Sequence, residues 1–201
     1  RQMCIRDRFK SMHRMCDDLR TEHDDEMIEK WITGKTGFPF LDACMKFLQT
    51  YGWINFRMRA MIMSFASYNM WQPWQKTSPL LAKFFTDYEP GIHISQVQMQ
   101  SGVTGINLPR IYSVAKQSMD QDPNADWIKS LIPELCDFDS ESIHTAQLGE
   151  SYLPQIVNLN DSSKYARDRI WSIRKSKAFK DEAKLVYLRH GSRRKRNFKT
   201  N

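Results

Sequence analysis

Trp53-Ile-Asn-Phe-Arg-Met-Arg-Ala-Met-Ile-Met-Ser-Phe-Ala-Ser-Tyr-Asn-Met-Trp71 is the stretch on which the fold of this 201-residue chain turns. Apolar side chains recur at Trp53, Phe56, Met58, Met61, Ile62, Met63, Phe65, Met70 and Trp71, with no alternation of period two. The pattern predicts a helix over about 53–71 that is apolar almost all round and buried in the middle of a domain. Arg57 and Arg59 lie inside it. A buried guanidinium needs an acid, a phosphate or an open cavity beside it. Two positions apart on a helix, these two diverge by about 200° and cannot share one partner.

Helical signals dominate on both sides of this stretch, so the fold class is all-α. Gly37-Phe38-Pro39 reads as a turn with proline at the first position of a helix running to about Tyr51, with Leu41, Cys44 and Leu48 on one face and Gly52 as its stop. Pro79–Phe85 predicts a third helix, followed by a loop Thr86-Asp-Tyr-Glu-Pro-Gly-Ile-His93 that carries two acids and a histidine. Gln96, Gln98 and Gln100 follow as an amide-rich segment. Trp127–Leu135 reads as a short helix interrupted by Pro133, 136–161 as an irregular wrapping segment, and 164–190 as one helix ended at His190-Gly191.

Hydrophobic residues make up 41% and charged residues 26%, which is globular composition, and the length suits one domain. No apolar run approaches the roughly 18 residues of a membrane span, and the charged N-terminal residues are unlike a signal peptide, so no membrane and a cytoplasmic address are expected. The four cysteines form no CxxC pair and are read as reduced thiols, Cys44 in the core; no metal site is expected. From Ser163 onward there are fourteen Lys or Arg against three Asp or Glu, so the net charge of +7 belongs to the C-terminal end. Its run Arg193-Arg-Lys-Arg196 is a solvated tail or a contact for nucleic acid or an acidic partner. Gly34-Lys-Thr-Gly37 lacks the glycine spacing and preceding strand of a phosphate-binding loop.

From the residues alone, the two arginines, the acidic loop with its histidine and the amide-rich segment suggest a pocket. A salt-bridged core, with Arg59 paired to Asp87 and His93 merely hydrogen-bonded, is the plainer explanation and, from the residues alone, the preferred one. The stretch Trp31-Ile-Thr-Gly-Lys-Thr-Gly-Phe-Pro-Phe-Leu-Asp-Ala43, followed by Gly52-Trp-Ile-Asn-Phe-Arg-Met-Arg59 and Ser64-Phe65, resembles the FAD-binding helical domain of the DNA photolyase/cryptochrome family. The resemblance continues through Trp74, Asp87-Tyr-Glu89, Arg110-Ile-Tyr112, Lys116-Gln117, Asp122-Pro123 and Trp127 to Pro133-Glu-Leu135, and is nearest in wording to a bacterial photolyase-like or cryptochrome-like subgroup. It implies the C-terminal part of a helical flavin bundle over 25–175, incomplete on its N-terminal side, between an N-terminal segment 1–24 and a basic helix end and tail 176–201. Residues 1–8 match nothing in the family and read as foreign sequence.

The resemblance implies FAD as cofactor, with the antenna domain absent and its chromophore unknown. Arg59 falls where the family pairs an arginine with the first acid of the loop, here Asp87. Asp87, Tyr88 and Glu89 fall on the flavin side, and Phe56 stands where cyclobutane photolyases have an asparagine touching flavin and lesion. His93 falls at the position facing flavin N5, as a donor or a cation, or else turned away to cap a backbone carbonyl. Trp74 matches the middle tryptophan of the electron relay, but Val97 occupies the flavin-proximal tryptophan's place, so Trp53, Trp71 or Tyr88 would have to substitute. Trp31, Arg57 and Gln117 match positions that contact damaged DNA. The implied activity is light-driven repair of pyrimidine dimers by electron transfer from reduced flavin, in a monomer whose partner is damaged DNA. The alternative is a cryptochrome-like photoreceptor without repair, which Phe56 and Val97 favour. The fragment alone is expected to be inactive.

Overall fold

The structure, a computed structural model, describes residues 9–191. Both the expected foreign segment 1–8 and the basic run Arg193–Arg196 lie outside the described residues. Among the described residues there are helices and no strands: α1 (Asp25–Ile32), α2 (Pro39–Tyr51), α3 (Phe56–Ser64), α4 (Trp74–Ala82), α5 (Pro90–Gln100), α6 (Val114–Gln121), α7 (Asp126–Leu131), α8 (Ser140–Thr145), α9 (Leu159–Arg174) and α10 (Lys177–His190). No helix among them is long and apolar enough to cross a membrane.

The α2 helix follows its sequence signals. Pro39, whose missing N–H is no loss at the first helical position, opens it, and Gly52 closes it at φ 71°. Leu41, Cys44 and Leu48 are fully buried along one face, and α2 packs against α1, α3, α6, α7 and α8. It is the backing on which α3 rests.

The long central helix is shorter than its apolar pattern predicts, and it has two parts. Asn55 accepts a hydrogen bond from Met58 N (3.0 Å) and caps α3, leaving Trp53 and Ile54 outside the helix. From Phe65 to Asn69 the chain widens into a π-helical turn, whose residues are all buried, and it ends with Trp71 at φ 56°. Burial is likewise divided. Ala60 through Met70 are buried, but Trp53 and Phe56 are half-exposed, so only the second half is enclosed.

Other boundaries also move. The third helix starts at Trp74, not Pro79, which lies inside it. His93 stands on α5, not in a loop, because Glu89 accepts from Ile92 N (2.6 Å) and starts a helix immediately before Pro90. The single helix predicted over 164–190 is broken at Ser176, whose Oγ accepts from Phe179 N (3.1 Å) to begin α10. Asp139 caps α8 in the same way within the stretch expected to be irregular.

Two polar clamps hold the periphery to the bundle. Buried Asp42 accepts from Thr36 N (2.8 Å), Thr36 Oγ1 (2.6 Å), Gly37 N (3.1 Å) and Tyr152 Oη (2.9 Å). Burial pushes its carboxyl pKa up, against the pull of those four donors. Gln98 of α5 accepts from Met12 N (2.6 Å) and donates to Lys10 O (3.2 Å), pinning the N-terminal segment.

Candidate functional site

Gly52 brings the site together. Its carbonyl accepts from Thr86 N (3.0 Å), and a Cβ at this position would lie 2.4 Å from Thr86 Cγ2, so the chain entering α3 lies against the loop 86–89. Asp87 is thereby held beside Arg59. Arg59 Nη1 and Nη2 donate to Asp87 Oδ1 (3.1 Å) and Oδ2 (2.9 Å), while Nε donates to Ile54 O (2.7 Å). This fork-to-fork geometry is the strong form of the ion pair. Its guanidinium also lies 4.3 Å from the Phe85 ring centroid. The Arg59 hydrogen bonds hold the Asp87 carboxyl below the usual carboxylate range.

The pair forms part of the wall of a cleft of about 150 Å³, which Phe56, Tyr88, Glu89, His93 and Val97 also line. The other contributors are mostly apolar, Ala60 and Met63 from α3 and Leu81 from α4, with Gln96 and Gln100 from α5. Tyr88 meets His93 edge-on, ring centroids 5.3 Å apart. His93 Nε2 lies 3.0 Å from Ser78 Oγ and 3.2 Å from Ser78 O. A carbonyl only accepts, so Nε2 carries the proton and Nδ1 is left as an acceptor. Burial lowers the pKa of His93, Arg59 lowers it further, and the Ser78 carbonyl opposes them. The imidazole is therefore neutral near pH 7, and its N–H caps the Ser78 carbonyl, the alternative that stands in the sequence reading beside a donor or cationic role; Nδ1 is left as an acceptor.

A second and larger cleft, about 700 Å³, shares Phe56 and Gln100 with the first. Arg110, Tyr112, Arg167 and Trp171 line it. None of these was singled out by role from the sequence, although Arg110-Ile-Tyr112 lay inside the resemblance.

Of the residues expected to face DNA, only Arg57 is exposed, and its side chain has no hydrogen bond or ion pair among the described residues. Trp31 is fully buried. With Ile28 and Ile32 it forms the apolar stripe of α1 that packs on α2, so its indole is a core group and offers no stacking face. Gln117 is 7% exposed, and its Oε1 is buried without a partner among the described residues. Trp74 is buried on α4, its indole N–H donating to Ser11 Oγ (3.2 Å), and it does not line the cleft. Val97 is buried against the cleft where a redox-active ring was expected from the family pattern.

The helical bundle and its paired cleft define a cofactor-binding domain, and comparison gives its family. Residues 2–172 match the model of the FAD binding domain of DNA photolyase, and the chain belongs to this family. That match starts well ahead of the boundary expected at residue 25. A deoxyribodipyrimidine photo-lyase of Alkalihalophilus pseudofirmus is 31% identical over 129 residues, 63% of this chain and 27% of the relative. A chloroplastic/mitochondrial cryptochrome DASH of Oryza sativa subsp. japonica is 30% identical over 156 residues, 76% of this chain and 26% of the relative. The crystal structure of the archaeal photolyase from Sulfolobus tokodaii with two FAD molecules superposes with a TM-score of 0.77 at 26% identity, covering 82% of this chain and 39% of that one. The chain thus spans about a quarter of the length of these curated relatives.

FAD is the cofactor of this domain, and the residues fit it. The smaller cleft combines apolar walls, an already neutralised guanidinium, a neutral imidazole and Gln96 Oε1, a buried acceptor without a partner among the described residues. That donor and acceptor set suits an uncharged heteroaromatic ring with N–H groups, and a free phosphate would find no unpaired cation there.

Proposed function

We propose that the chain is part of a light-driven flavoprotein that repairs pyrimidine dimers in DNA, with the smaller cleft holding the flavin ring. The observation that carries the reading is the bidentate Arg59–Asp87 pair, which places a compensated charge in the wall of an otherwise apolar slot. Reduced FAD, when bound, supplies an electron to a dimer under blue light and takes it back once the ring has split. The chain's own residues bind and position. Arg59 and Asp87 set the polarity of one wall, and Met63, Leu81 and Val97 keep water from the slot. His93 presents an acceptor, since its proton is held by Ser78. Arg57, exposed on the first turn of α3, offers a guanidinium to a strand phosphate.

Phe56 and Val97 favour a second reading, a cryptochrome-like photoreceptor without repair. Phe56 can make no polar contact with a lesion, and Val97 cannot pass an electron inward; Trp53 and Tyr88, both half-exposed beside the pair, are the oxidisable groups that could act instead. The test is to express the full-length parent, record its flavin absorption, reduce it, illuminate it with dimer-containing DNA and follow thymine recovery. Recovery supports repair, a bound flavin that restores no thymine supports the photoreceptor, and absence of flavin overturns both.

A further inference from the structure

We infer that the buried guanidinium groups of Arg20 and Arg174, where the segment before α1 meets the end of α9, hold a halide ion. Neither arginine lines the flavin slot or the larger cleft, so the inference stands apart from the flavin and DNA readings.

The placement begins with burial. Arg20 is only 5% exposed, and its Nε donates to Ser67 O (2.7 Å) in the π-helical turn. Its guanidinium carbon lies 4.3 Å from the ring centroid of Trp71 and 5.5 Å from that of Tyr68, so the group is held between two rings. Nη2 is nevertheless buried without a partner among the described residues. Arg174, the last residue of α9, lies over Trp171 and Phe179, and its Nη1 is buried and unpartnered in the same way. The positive charges of both arginines bear on the Cys16 thiol and on the Tyr68 hydroxyl, which puts the two cations in one neighbourhood.

Charge balance then chooses the ligand. Neither arginine has an ion pair among the described residues. Burial pushes the Cys16 thiol and the Tyr68 hydroxyl each up to about 12, so both keep their protons at pH 7 and supply no negative charge. Asp17, next to Cys16, accepts from Ser11 N (2.6 Å), and Asp18 and Glu22 are exposed. Two guanidinium groups without a counter-charge are costly in a water-poor interior, and stacking on rings offsets only part of that cost. Burial accordingly draws Arg20 down to about 10 and lowers Arg174 as well. A water molecule would bring no charge, and its own hydrogens would have to be placed among N–H, O–H and S–H donors. A phosphate or sulfate would bring several oxygens to two open guanidinium nitrogens and leave the others buried and unsatisfied. A halide is a single atom that only accepts, which suits the donors present.

The experiment follows thermal unfolding of the full-length parent at constant ionic strength while sodium gluconate is replaced stepwise by sodium chloride. For one site present only in the folded state, chloride at ten times its dissociation constant multiplies the folded-to-unfolded ratio about elevenfold, so the wild-type midpoint should rise along a saturating curve. Bromide should act in the same way. Arg174→Met, at a half-buried position that tolerates the change, should lose the chloride response. In gluconate its midpoint should equal or exceed that of wild type, because one uncompensated charge has gone. Arg20→Met also gives up the bond to Ser67 and the stack on Trp71, and should lose the response at a lower midpoint. In crystals grown with bromide, anomalous scattering should place an ion within hydrogen-bond distance of Arg20 Nη2 and Arg174 Nη1. A wild-type midpoint that does not distinguish chloride from gluconate overturns the assignment. So does a chloride response that Arg174→Met keeps in full, which would be a general effect of the salt on the protein surface, and so does bromide found only elsewhere.

Discussion

Asp42→Asn tests the least negotiable polar contact in the bundle. The wild-type carboxylate is fully buried and receives four hydrogen bonds, two of them from backbone N–H groups that have no water to turn to. An asparagine keeps the volume but presents an NH₂ on one side. If its oxygen faces Thr36, the amide NH₂ meets Gly37 N–H, and that donor is stranded at about 1–3 kcal/mol. The charge assistance to the other bonds is lost as well. About 2–3 kcal/mol is therefore expected for Asp42→Asn, and about 3–6 kcal/mol for Asp42→Ala, which strands both N–H groups and opens a cavity. Against a total of about 5–15 kcal/mol for a domain, the alanine variant should be close to unfolding. Tyr152→Phe removes one donor, leaves the carboxylate three, and should cost about 1 kcal/mol. Urea unfolding followed by tryptophan fluorescence and far-ultraviolet dichroism gives all three numbers. An Asp42→Asn variant within about 0.5 kcal/mol of wild type would show that the four bonds do not hold the 149–157 segment to α2 as argued.

Asp87→Asn should cost only about 0.5–1 kcal/mol, because Asp87 is half-exposed and its pair with Arg59 is screened, and the cost should shrink in high salt. Asp87 has a depressed pKa, so its contribution is present above about pH 4 and lost as pH falls further; the asparagine variant should have a flatter acid limb in a urea-midpoint series. His93 gives the same sign by another route: its folded pKa lies below the unfolded value of 6.5, so wild-type stability is full above that pH and declines as pH falls below it. His93→Asn should remove this decline below about pH 6.5, and parallel curves for the two proteins would show that His93 is not buried as described.

Much of the fold was legible because its signals are local. Pro39 and Gly52 mark α2 by backbone chemistry alone, whereas the guanidinium rule left Arg59 an acid, a phosphate or a cavity, and the family resemblance settled on Asp87 among them. What failed had two sources. Caps were under-read: Asn55, Ser176 and Glu89 each start a helix at a place where apolar periodicity alone ran on or faded. Trp31 was misplaced although a local signal existed, since Ile28, Trp31 and Ile32 share one stripe of a short helix and so belong to the core. The remaining features depend on residues far apart in the chain. Tyr152 completes the Asp42 site from 110 positions away, and the tautomer of His93 is set by Ser78 on another helix. No window of sequence contains either relation.

The start of α3 joins these lines of argument, because one turn of helix serves three compartments. Phe56 lines both clefts, Arg57 faces solvent, and Arg59 reaches Asp87. Successive helical positions are about 100° apart, so a start displaced by one residue would carry Arg59 out of reach of the loop and Phe56 away from the partition. Asn55 sets that start by accepting from Met58 N, and its Nδ2 donates to Gln121 Oε1 (3.3 Å) on α6, which anchors the cap itself. Asn55→Ala should cost about 1 kcal/mol as a lost N-cap, and Asn55→Asp, which keeps the acceptor but loses the bond to Gln121, should cost less. The sharper readout is the coupling between Arg59 and Asp87. In a double-mutant cycle with Arg59→Met and Asp87→Asn, the coupling measured in wild type should fall when Asn55 is alanine, because a frayed first turn no longer holds the guanidinium fork in register. An unchanged coupling energy in that background would mean that the Arg59 Nε bond to Ile54 O and the packing against Phe85 aim the fork without the cap.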